Sequence, residues 1–231
     1  MNSNLCCRVI AKLSRVTLVA GALIFGSQTL SLQNAFIANP FMVAAAAKTC
    51  VAQPPLAQLN NGKPTICDET IDGKIFCVSR IIVKAKLEKV WQVLTDYKHA
   101  VQVFPLLKKC ELLENHGSTK ISRHEIAPSG LPETYEYILE VHETAPTSMQ
   151  WHRLSGDFKD VDGSWKLEPV NSGNDTLVTY ASHVTGGFFM PQILIRHQAH
   201  IDMPSTLIAL KTHTEHSIQI AAGTRNSTAA E

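Results

Sequence analysis

Six strand-like stretches follow one another with only short connections: residues 110–114, 119–126, 135–141, 149–154, 165–170 and 176–184. A parallel pair of strands needs a crossover of about a dozen residues or more, so this succession commits the region to an antiparallel meander. Tyr135, Tyr137, Leu139 and Val141 alternate with Glu136, Ile138, Glu140 and His142, which gives one face to a core and one mostly to water. Asn115-His116-Gly117, Asp162-Gly163 and Asn171-Ser172-Gly173-Asn174 carry the residues that tight turns require.

The flanks have a different period. Residues 75–84 (IFCVSRIIVK) read as a strand. Leu87, Val90, Trp91 and Leu94 then share one helical face, and Pro105 interrupts a second apolar piece that includes Val101, Val103 and Phe104. After the meander, Pro191 can open a helix in which Leu194, Ile201 and Ile208 recur every seven residues. Pro204 predicts a kink or a split in that helix, and residues 220–231 read as a flexible tail. The expected fold is therefore α+β, with a curved antiparallel sheet of about seven strands around one long C-terminal helix. A sheet curved round a single helix leaves a cavity between them, and apolar ligands occupy such cavities.

The N-terminal segment is a separate matter. Residues 1–47 hold Arg8, Lys12 and Arg15 and no acid, and residues 16–47 carry no charge. A basic start, the apolar run 16–25 and the small residues at 44–47 predict a signal peptide cut after Ala47, and hence export to a periplasm, a lumen or the medium. The same segment retained as a membrane anchor, or an acid-poor organelle transit peptide, are the alternatives. Residues 48–73, with Pro54, Pro55, Pro64 and Asn60-Asn61-Gly62, read as a linker or irregular arm, which places the ligand-binding domain at 74–219. Cys50, Cys67, Cys77 and Cys110 permit three pairings in an exported chain, or none if they remain thiols.

Charge and motifs exclude several functions. A formal charge of +1 supplies no basic field for nucleic acid. The sequence has no P-loop, no G-x-G-x-x-G, no G-x-S-x-G and no H-E-x-x-H. His197 with His200, and His213 with His216, have a spacing that can put two imidazoles on one helix face, but neither pair has a carboxylate or cysteine at helical spacing. No metal and no cofactor is expected.

Residues 79–114 (SRIIVKAKLEKVWQVLTDYKHAVQVFPLLKKCELLE) resemble the opening of the START-like, or SRPBCC, helix-grip superfamily. Residues 156–169 (GDFKDVDGSWKLEP) are similar to the G-D-F-x-x-x-x-G-x-W-x-L-x-P stretch of its coenzyme Q-binding and polyketide cyclase/dehydrase subfamily. The resemblance spans about residues 75–217. It implies a pocket for a lipid, an isoprenoid quinone or a polyketide-like molecule. It also implies that Trp91, Phe104 and Trp165 pack while Gly156 and Gly163 serve backbone geometry, and it transfers no catalytic residue.

The expected activity is binding, and transport, of a hydrophobic small molecule, with transient membrane contact as a second partnership. An aromatase/cyclase or dehydratase using the same cavity is the alternative. Candidate pocket residues are Tyr137, His152 and His183 on strands, which could orient a ligand carbonyl or act as acid or base, and Leu194, Ile201 and Ile208 on the helix. Arg153 is a further polar candidate.

Overall fold

In the computed structural model, the described residues are 59, 61–131, 133–187 and 190–228, with side chains described as far as Ile220. The strands are β1 (Thr65–Ile71), β2 (Lys74–Val83), β3 (Leu107–His116), β4 (Thr119–Ile126), β5 (Tyr135–Thr144), β6 (Ser148–Gly156), β7 (Asp160–Val170) and β8 (Asp175–Thr185). They form one antiparallel sheet in the order β1-β2-β8-β7-β6-β5-β4-β3. Helices α1 (Leu87–Leu94) and α2 (Ala100–Val103) lie between β2 and β3, and α3 (Gln192–Thr228) closes the chain. The expected meander and long helix are present, and the sheet has eight strands rather than about seven.

The additional strand is β1, within the stretch read as a linker. Asp72-Gly73 joins it to β2, with φ of 50° and 77°. That left-handed pair turns a two-residue hairpin, and Ile71 pairs directly with Lys74. β2 is buried on both faces from Cys77 to Val83. Val83 and Ile81 join the main core, whereas Ile82 packs with Leu59 and Leu177 in a separate cluster. The continuous apolar run of β2 thus reflects two covered faces.

Asp162-Gly163 is not a turn. Both residues lie inside β7, and the chain reverses at 157–159 instead. A Cβ at Gly163 would stand 2.2 Å from Cζ2 of Trp151, so glycine here admits an indole from the neighbouring strand. Gly156 has φ of 124°, and a Cβ there would meet the Glu136 carbonyl oxygen at 2.4 Å. It sits beside the register shift between Ile138 and Leu139, where the sheet bends.

α3 packs on β1, β2 and β8. It runs through Pro204 as one helix and continues to Thr228, through most of the segment read as a tail. Proline removes one bond from the helical ladder, but Met203, Leu207 and Leu210 are buried on either side of it. That tertiary packing holds both halves to the sheet. In α1 the buried face is Leu87, Val90, Val93 and Leu94, which leaves Trp91 partly buried at the margin of the core. Trp165 is deeply buried.

Candidate functional site

Between the concave face of the sheet and α3 lies a cavity of about 270 Å³. Its position follows from strand alternation. Tyr137, Leu139 and Val141 of β5, Met149 and Trp151 of β6, and Val161 and Trp165 of β7 all point inward. Leu94, Tyr97, Ala100 and Phe104 wall it from the α1–α2 side, and Ile195, Ala199, Met203 and Thr206 from α3. Aromatic rings support one another around it. Trp165 stacks on Tyr180 with centroids 4.1 Å apart, and Phe158 meets Tyr135 at 5.2 Å and Tyr137 at 5.7 Å.

Several polar groups on this wall are held in neutral forms. His124 stacks on Tyr137 at 5.7 Å and 9°, and its Nε2 is 2.9 Å from the Ser122 hydroxyl. Burial pushes its imidazole down to about 4, so it is uncharged near neutral pH. Burial likewise pushes the Cys110 thiol up to about 11, and raises the Tyr137 phenol above its ordinary value. Tyr97 donates to Glu143 Oε1 at 2.8 Å, while Lys120 Nζ donates to the other oxygen at 2.7 Å. Burial first, and the Glu143 carboxylate second, raise the Tyr97 phenol. This trio pins the turn after α1 to β4 and β5.

Besides Thr206, two further polar side chains of α3 line the cavity. Gln198 and Asp202 are 8% and 9% exposed. Asp202 Oδ2 accepts the backbone N–H of Ser129 at 3.2 Å.

The sequence candidates are not gathered in one place. Tyr137 stands on the cavity wall. His152 is exposed on the opposite face of the sheet, where its ring stacks 6.1 Å from His142. His183 also faces away. Its Nδ1–H donates to the Ile75 carbonyl at 2.8 Å, and its ring lies 5.5 Å from Phe76. Its neighbour Ser182 is the one that reaches the cavity. The Arg153 guanidinium donates to the Gly156 carbonyl at 2.9 Å.

Leu194, Ile201 and Ile208 are corrected in phase: they are 40%, 47% and 48% exposed on the outer side of α3. The buried row is Ile195, Gln198, Asp202, Met203, Leu207, Leu210 and Thr214. His124, Cys110, Trp151, Phe158, Gln198 and Asp202 were not among the candidates. For His124, the available signal was its place in the period of β4 directly opposite Tyr137.

Among the described residues, two groups of side chains present metal-ligating atoms within 4.8 Å of one another: Asp68, Cys77 and His200, and Glu140, His142 and His152. In the first, Asp68 Oδ1 accepts from His200 Nε2 at 2.8 Å and from the Cys77 thiol at 3.3 Å. Burial first, then Asp68, push that thiol up to about 12. His213 and His216 instead border a shallow groove beside Ile208. Cys77 and Cys110 are free thiols. Cys67 is disulfide-bonded.

The fold is shared with solved structures. A STAR-related lipid transfer protein from Xanthomonas axonopodis is 18% identical, with a TM-score of 0.57, over 66% of this chain and 94% of that one. The Zhui aromatase/cyclase from a Streptomyces species is 16% identical, with a TM-score of 0.54, over 62% and 94%. A START superfamily protein from Mycobacterium smegmatis is 18% identical, with a TM-score of 0.55, over 61% and 97%. No curated protein matches the chain significantly. The family model for polyketide cyclase/dehydrase and lipid transport matches residues 83–211, more than half of the sequence and all of the cavity-bearing elements from α1 to the middle of α3. The chain belongs to the polyketide cyclase/dehydrase and lipid transport family, and it has the helix-grip fold seen in these START-like structures.

Proposed function

We propose that this protein binds a hydrophobic small molecule in the cavity beneath α3 and carries it without altering it. The observation that supports this reading is the cavity wall. Leu94, Phe104, Leu139, Val141, Met149, Trp151 and Trp165 make it predominantly apolar, while burial keeps His124 and Cys110 uncharged. Burial of ligand at ~0.8 kcal/mol per methylene gives affinity to such a site without a charged partner. Family membership supports the same class of ligand. The test is native mass spectrometry of the protein purified from its own source, followed by extraction and identification of what leaves it. A co-purifying apolar molecule in stoichiometric amount is expected. A protein that neither retains such a molecule nor takes up a neutral dye such as Nile red does not have this function.

A second reading, catalysis of a cyclase or dehydratase kind, rests on His124 stacked against Tyr137 at the cavity wall. One of these could hold a proton near a bound carbonyl. It requires a substrate whose turnover falls ~100-fold or more in His124→Phe or Tyr137→Phe with little change in binding.

For location, we propose export. The acid-free start with its apolar run supports it, as does a disulfide at Cys67, since such bonds persist chiefly in oxidising compartments.

A further inference from the structure

We propose that Gln198 and Asp202 form a polar anchor that recognises a hydroxyl group, so that the ligand is a hydrophobic alcohol or phenol. This inference rests on the binding reading and narrows its ligand class. The two side chains sit one turn apart on the inner face of α3, both more than nine-tenths buried and both on the wall of the cavity. Glutamine and aspartate at this spacing commonly bond to each other. Here they do not: Gln198 Nε2 and Asp202 Oδ1 are each buried without a hydrogen-bond partner. Asp202 is held by its other oxygen, which accepts the Ser129 N–H at 3.2 Å, and this leaves Oδ1 without a protein partner in a residue that lines the cavity. The nearby Thr206 hydroxyl is already committed to the Asp202 carbonyl at 2.9 Å. A buried polar atom without a partner is costly, and more so on a carboxylate, so the pair selects for a ligand that satisfies both.

The chemistry of the pair is directional. Gln198 Nε2 offers a proton and Asp202 Oδ1 accepts one. A hydroxyl meets both demands with one oxygen, accepting from the amide and donating to the carboxylate. An ether or ketone accepts only, and leaves Asp202 unpaired. A carboxylic acid head in its ionised form sets oxygen against oxygen, and a hydrocarbon satisfies neither group.

The test is displacement of Nile red from the full protein by 1-decanol, decyl methyl ether and decane. Decanol is expected to displace the dye at about one-tenth the concentration of the ether, the effect of one added hydrogen bond to a charged group. Gln198→Leu should weaken decanol and ether alike while leaving decane unchanged. Asp202→Asn keeps an acceptor for Ser129 and turns an N–H₂ into the cavity, which an ether can accept; its decanol-to-ether preference should fall to about one. Far-ultraviolet circular dichroism and a thermal melt establish that each variant is folded. Equal displacement by decanol and ether in the unaltered protein, or an undiminished preference in Asp202→Asn, overturns the anchor while the binding function stands. Failure of the dye and of all three competitors to bind overturns the binding function, and the anchor with it.

Discussion

Trp165 and Tyr180 face each other across β7 and β8 with ring centroids 4.1 Å apart and planes inclined by 14°. Phe104 extends the stack from the other side at 6.4 Å, so a residue from the helical insertion is tied to the middle of the sheet. Trp165→Ala should cost ~3–5 kcal/mol of unfolding free energy. Trp91→Ala, at the margin of the same core, should cost distinctly less. Urea denaturation of the two variants measures the difference, and equal losses would place Trp91 deeper than the structure has it.

The cavity has a defined inner face on α3, and substitutions on its two sides should separate. Ala199→Trp projects an indole into the cavity, whereas Ile201→Trp adds one to the outer surface. Nile red uptake should be lost in the first and kept in the second, with both variants folded. Retention in both would mean that the dye sits elsewhere.

Gly163 gives a sharper test of packing. An added methyl must displace the Trp151 ring or the Ala181 carbonyl, which it would approach at 2.2 Å and 2.8 Å. Gly163→Ala should therefore destabilise the protein by about 1–3 kcal/mol. Gly163→Ala combined with Trp151→Leu should recover part of that loss. Additive losses would show that the indole is not the obstacle.

His124 predicts a specific pH dependence. Its folded value is lowered to about 4 from an ordinary 6.5, by burial. Between these values the unfolded chain binds the extra proton and the folded chain does not, so stability rises with pH across that window. The contribution is complete above pH ~6.5 and is lost as pH falls toward ~4, on the order of 3 kcal/mol in all. Urea midpoints at pH 7 and pH 4.5, compared between the unaltered protein and His124→Gln, isolate it. A slope unchanged by the substitution would assign the pH dependence to other groups.

Thiol chemistry and the N-terminus report on compartment. In native protein at pH 7.5, Cys77 and Cys110 should react slowly with iodoacetamide, because burial raises both thiols to about 12 and about 11 and only the thiolate is nucleophilic. Cys67 should be labelled only after reduction. The mature protein should begin near Lys48. An intact Met1 on cytosolic protein, with Cys67 alkylated before reduction, would refute export.

Much of the framework could be read in the sequence, because alternation over β5 and the order of turns are local signals. What escaped depended on partners distant in sequence. Gly163 looked like a turn residue because Asp-Gly usually marks one. Its real requirement, the Trp151 ring, lies on the neighbouring strand. β1 was hidden by the polar composition of its segment, although Asp72-Gly73 before Lys74 carried the hairpin signal. His152 and His183 were assigned to the cavity, but strand register decides which of two adjacent residues faces inward. On α3, the row Leu194, Ile201 and Ile208 is the more apolar one and yet faces out. A cavity-facing helix surface that carries Gln198, Asp202 and Thr206 defeats the assumption that greasiest means innermost.

α3 leans on β1, β2 and β8, and the inner faces of β4 to β6 look across the cavity instead. The two halves of the sheet therefore differ in what resists their opening. Amides of β2 and β8 are covered by helix and should exchange with solvent deuterium only when the molecule unfolds as a whole. Those of β4 and β5 have no long helix over them, and open at the cost of contacts within the sheet and of the Tyr97–Glu143 link to the turn after α1. A molecule seated in the cavity would supply the missing backing there, and slower exchange confined to β4 to β6 would be the signature of its presence.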